Sequence, residues 1–86
     1  MSAVREVQET LHAAATRVDE VGDLARDLAA RVDHMRQSLF RVLADSQSPD
    51  VGQAHQVSAY TIEAVATIEH ALREAAALAR HRASTL

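Results

Sequence analysis

Eighty-six residues carry 12 acidic and nine basic side chains, a formal charge of −3, five His, two Gly, one Pro, one Phe, one Tyr and neither Trp nor Cys. A chain this short makes one domain. Its scarcity of Gly, Pro and aromatics favours helix over sheet, and the lack of Cys excludes a disulfide framework and thiolate chemistry.

The two signs of charge are interspersed, and no basic patch emerges that could release many phosphate counterions, so nucleic acid is not an expected partner. No apolar run approaches the roughly 20 residues of a bilayer span, and no charged, apolar, small-residue leader is present. Cytoplasmic residence is expected, or export without a cleaved signal peptide. All nine strong bases are Arg, a usage that fits the coding bias of a GC-rich bacterium.

The first element is expected from about residue 3 to 44. Val4, Val7, Leu11, Ala14, Val18, Val21, Ala25, Leu28, Val32, Met35, Leu39 and Val42 follow one another in steps of three and four. That is a heptad seam of one long helix, expected to lie along another helix. Ser2 can cap its start, with Glu6 and Glu9 near the positive end of the helix dipole. Charged residues such as Arg5, Glu20, Asp23, Arg26 and Asp27 fall outside the seam and read as a solvated face. Gly22 stands beside the seam at a propensity cost of about 1 kcal/mol, and reads either as room for a close approach by the partner helix, the favoured reading, or as a tolerated weak point. Ala14 and Ala25, on the seam itself, would also draw the helices together. Leu24, Phe40 and Leu43 are apolar but off the seam. Phe40 and Leu43 lie next to the turn, where they either plug the hairpin tip or anchor another chain.

Residues 45–49 read as the turn. Ser48 is a good N-cap, Pro49 suits the first helical position and Asp50 suits the dipole's positive end. A connection this short makes the two helices antiparallel neighbours, so residue i of the first faces roughly residue 95 − i of the second. The second helix is expected over about 50 to 82, with residues 83–86 frayed. Its apolar positions are Val51, Ala54, Val57, Ile62, Val65, Ile68, Leu72, Ala75, Leu78 and Ala79. At 100° per residue they fan over roughly 200°, wider than the stripe of an ordinary surface helix. Glu69 and Arg73 form an i,i+4 pair in the favourable order.

That width predicts more than a lone hairpin. One partner helix covers a narrow seam, and a two-helix hairpin has little core at this size. The expected fold is therefore all-α, an antiparallel two-helix hairpin pairing into a four-helix bundle. The partner is a second copy or a similar helical hairpin; the alternative is a stable monomer held by Ala-rich close packing. Binding would be helix to groove, through Val57, Ile62, Val65, Ile68 and Leu72, with Phe40 and Leu43 at the tip. Ile68→Asp, at the centre of the second helix's apolar face, is expected to destabilise by several kcal/mol through unpaired burial.

Chemistry is weakly represented. His12, His34, His55, His70 and His81 include no pair at i,i+3 or i,i+4. The hairpin register brings His12 near His81, and Glu9-x-x-His12 has the spacing of carboxylate-bridged di-metal bundles. The second helix supplies no matching Glu-x-x-His, so these read as solvent-exposed histidines and no metal or cofactor is expected. Ser38, Ser46, Ser48 and Ser58 read as cap or surface residues. Thr61 is placed to bond the carbonyl one turn back. There is no phosphate loop, and an enzyme is not expected.

Two long helices, a short central turn and Asp50-Val51-Gly52 at the tip together resemble the ESAT-6/WXG100 family. The resemblance covers the whole chain in architecture. It implies small helical hairpins that pair into four-helix bundles and leave the cell by type VII secretion. The family's Trp-x-Gly turn has its Gly here at Gly52 but no Trp. Its Tyr-x-x-x-Asp/Glu signal is not matched by Tyr60, since Ala64 stands four residues on and Glu63 one short. No functional residue carries over. The expected function is a non-catalytic interaction module, either a secretion-associated partner of this kind or a cytoplasmic dimeric adaptor or regulator, antitoxin-like or phage-encoded.

Overall fold

The computed structural model describes residues 2–86. Two helices, α1 (Ala3–Val42) and α2 (Pro49–Thr85), run antiparallel in a rod 67 Å long and 14 by 12 Å in section. Local chemistry sets their ends. The Ser2 hydroxyl accepts from the Arg5 amide at 3.2 Å to open α1, and the Ser48 hydroxyl accepts from the Asp50 amide at 3.3 Å to open α2, with Pro49 in its first turn. α1 ends at Val42, two residues before Ala44. There the Leu43 amide still donates to the Leu39 carbonyl at 3.0 Å, and the Ser46 amide folds back to the Leu43 carbonyl at 2.9 Å.

α2 runs on to Thr85 instead of fraying beyond Arg82. Its last turn is held against α1. Ala83 is 1% exposed, and its carbonyl accepts from Gln8 Nε2 at 3.0 Å. The hairpin register is the expected one, with Arg26 against Glu69, Phe40 against His55 and Gly22 against Arg73.

The seam is not the expected one. On α1 the strip turned to α2 is Gln8, Leu11, Ala15, Val18, Gly22, Ala25, Ala29, Val32 and Arg36, with Asp19 and Asp33 half-buried beside it. The strip too follows steps of three and four, but the set is rotated about 50° around the helix from the anticipated one. Leu11, Val18, Ala25 and Val32 belong to both sets. Val4, Val7, Ala14, Val21, Leu28, Met35, Leu39 and Val42, expected inside, are exposed. The cause is size. The rotated set brings Ala15, Gly22 and Ala29 towards α2, which answers with Ala76, Ala79 and Ala83. Small side chains let the helices approach closely, and Ala15 and Ala76 lose all exposure while no large side chain does.

Candidate functional site

The two broad faces of the rod differ in kind. One carries a clasp of six charges. α2 places Glu69 and Arg73 one turn apart, and the Arg73 guanidinium reaches across Gly22 to α1. Its Nη1 donates to the Asp19 carbonyl at 3.0 Å and to Asp19 Oδ1 at 3.2 Å. Its Nη2 donates to Asp23 Oδ1 at 2.7 Å and to Glu69 Oε2 at 3.2 Å. Arg80 adds a 2.7 Å pair to Asp19 Oδ2, and Arg26 a 2.9 Å pair to Glu69 Oε2. The absence of a Cβ on Gly22 makes the crossing possible, since one built there would lie 2.9 Å from Arg73 Cζ.

Three carboxylates and three guanidinium groups balance. Hydrogen bonds from Arg80 and then Arg73 hold the Asp19 carboxyl below its ordinary range. Burial alone would raise Glu69, but the bonds from Arg73 and Arg26 outweigh it and pull its carboxyl down. Bonds to Asp23 and Asp19 push Arg73 further up. Asp19, Glu69 and Arg73 are thus held in their charged forms, and the clasp ties α1 to α2 in one register.

The other face is apolar. Val21 and Leu28 follow Asp19 and Arg26 by two positions, Leu78 precedes Arg80 by two, and Ala71 and Ala75 flank Arg73 by two. Two positions are about 200° around a helix, so all of these lie on the side away from the clasp. α1 contributes Val7, Val21, Leu28, Met35 and Val42, each exposed and spaced in multiples of seven. α2 contributes Val57, Ile68 and Leu78, also exposed, with Ala64, Ala71 and Ala75 between them. Towards the turn a shallow groove on this face is lined by Val32, Met35, Leu39 and Val42 with Ser58 opposite.

The seven residues singled out for partner binding divide between these regions. Val57 and Ile68 lie on the apolar face, 58% and 54% exposed. Val65 is 8% exposed within the seam, and Ile62 and Leu72 are half-buried along it. Leu43 is half-buried at the tip. Phe40 points to the clasp side, where its ring lies 5.6 Å from that of His55. The α1 stripe from Val7 to Val42 is the part of the face that sequence reasoning placed inside. Its signal was present, because α1 offers three apolar or small strips side by side and one neighbouring helix covers only two.

His12 and His81 are both exposed. Among the described residues, no group of three or more His, Cys, Asp or Glu is disposed to hold a metal ion, and no helix is long and apolar enough to cross a membrane. The Thr61 hydroxyl donates to the Val57 carbonyl one turn back, at 2.9 Å. No family model, curated protein or solved structure matches the chain.

Proposed function

We propose that the chain is a non-catalytic protein–protein interaction module, a helical hairpin that pairs with a second copy of itself into a four-helix bundle. The observation that carries this reading is the apolar face of Val7, Val21, Leu28, Met35, Val42, Val57, Ile68 and Leu78, left open by a seam made chiefly of small residues. The surface area points the same way. The hairpin exposes 6567 Å², whereas a compact protein of its 9.3 kDa exposes about 5,000 Å². Hiding the excess on both copies buries roughly 3,000 Å² in total, within the range of about 2,000–5,000 Å² of obligate homodimers. The plan of two long helices and a short turn is also that of the ESAT-6/WXG100 proteins. It supports a partner or secretion-associated role for the bundle.

Light scattering over a dilution series tests the reading. The expected mass is twice 9.3 kDa, retained on dilution. A chain that stays helical and monomeric at the highest concentration overturns it.

A further inference from the structure

We infer that the turn-proximal half of the hairpin, residues 30–42 of α1 with 49–62 of α2, opens as a unit of its own while the half nearer the chain ends stays closed. The inference concerns the single hairpin and does not rest on pairing of two copies. A second copy on the apolar face, which runs from Val7 to Val42, would cover both halves.

The fastenings between the helices are gathered in one half. Among the described residues, every side-chain hydrogen bond and ion pair that joins α1 to α2 ties residues 8–26 to residues 69–83. Gln8 bonds the Ala83 carbonyl, Arg26 pairs with Glu69, Arg73 with Asp19 and Asp23, and Arg80 with Asp19. The buried residues Ala15, Gly22, Val65, Ala76 and Ala83 lie in the same half, and from residue 23 to residue 64 no residue is buried. The turn half has in their place the Phe40 and His55 rings, 5.6 Å apart on one edge, and half-buried side chains such as Val32, Leu43, Val51 and Ile62.

One position explains the change in packing. Gln8, Ala15, Gly22, Ala29 and Arg36 recur every seven residues on the side of α1 turned to α2. The small members let the helices close. The series then reaches a large charged side chain at Arg36, which lines the groove with Ser58. Arg36 Nη2 pairs with Asp33 of its own helix at 2.6 Å, and its Nε is enclosed with no partner. An enclosed donor without an acceptor disfavours the closed contact. A helical stretch of about a dozen residues is marginal in water without tertiary support, so residues 30–42 melt once they leave α2. The opened stretch is a loop pinned at both ends by the clasp and the small-residue seam, and the entropy of closing such a loop grows only slowly with its length.

The same end carries exposed Met35, Leu39, Phe40, Val42 and Val57. Opening bares Val32, Leu43, Val51 and Ile62 beside them. The turn end is thus the adaptable part of the apolar surface, and the clasp is the fixed part.

Backbone amide hydrogen exchange on the intact protein tests this. A uniformly packed hairpin opens from its free ends, so that protection rises towards the turn. Here protection is expected to fall towards the turn, with the amides of 30–40 and 54–62 exchanging about tenfold faster than those of 11–26 and 66–80, or more. Arg73→Ala removes the centre of the clasp. It is expected to speed exchange in the clasp half by about tenfold and to leave the turn half unchanged, because the turn half opens with the clasp closed. Arg80→Ala, which removes a single pair to Asp19, gives the same contrast at smaller size should Arg73→Ala unfold. Protection that is level along the helices, or that rises towards the turn, overturns the inference. So does a clasp substitution that speeds both halves by the same factor, the mark of a hairpin that opens all at once.

Discussion

Gly22 and Arg73 show how one missing side chain shapes the seam. Glycine inside a helix costs about 1 kcal/mol relative to alanine, and here the vacated space holds the Arg73 guanidinium, with Cζ 2.9 Å from where a Cβ would sit. Gly22→Ala therefore gains helix propensity but displaces an arginine that bonds Asp19, Asp23 and Glu69. In an Arg73→Ala background only the gain remains. Gly22→Ala is expected to stabilise that background by about 1 kcal/mol in urea unfolding, and to stabilise the wild-type chain by less, or to destabilise it. Equal gains in the two backgrounds would show that the guanidinium does not occupy the space. The position of Gly22 beside the seam made a close approach legible in the sequence. That the approaching group is a side-chain tip was not legible, because it depends on which side of the seam α2 presents Arg73.

At the scale of the helix, most of the architecture was readable. The cap residues Ser2 and Ser48, the Pro49 start and the short turn each encode local structure directly, and the turn's position fixes the register between α1 and α2. The choice of seam was not readable from spacing. Val7, Val21 and Leu28 alternate with Leu11, Val18 and Ala25 in the same steps of three and four as do Ala15, Gly22 and Ala29, so periodicity accepts either strip. Packing decides, because α2 brings Ala76, Ala79 and Ala83 to the contact and only small partners allow both helices to close on each other. This makes a sharp demand on Ala76, which has no exposed surface. Ala76→Leu should destabilise the protein by about 1–3 kcal/mol through overpacking. Ala77→Leu, one residue on and exposed, should stay within about 0.5 kcal/mol. Denaturant midpoints at matched protein concentration compare the two, and equal midpoints would mean a seam loose enough to admit a leucine.

For the whole molecule, the breadth of the apolar fan on α2 is the feature of the sequence behind the proposal that one hairpin pairs with another, but which residues face outward depends on how the two helices pack. Val65, which the apolar pattern places on the partner face, is enclosed by its own hairpin, while Leu28 and Met35, which the pattern places inside, are open. The effect expected of Ile68→Asp moves accordingly. Ile68 is 54% exposed in the hairpin, so a carboxylate there remains hydrated in the single chain and costs the fold little. In the proposed bundle the same carboxylate would lose its water on both copies without gaining a partner. The substitution should therefore weaken dimerisation at least 100-fold, about 3 kcal/mol, as read by sedimentation equilibrium. Glu63→Ala, on an exposed position away from the apolar face, should leave stability within about 0.5 kcal/mol. If Ile68→Asp associates as the wild-type chain does, the apolar face is not where the copies meet. If it unfolds at concentrations where the wild-type monomer is helical, Ile68 belongs to the hairpin's own core. Loss of association with the hairpin retained is the one result that places Ile68 between the copies and not within one.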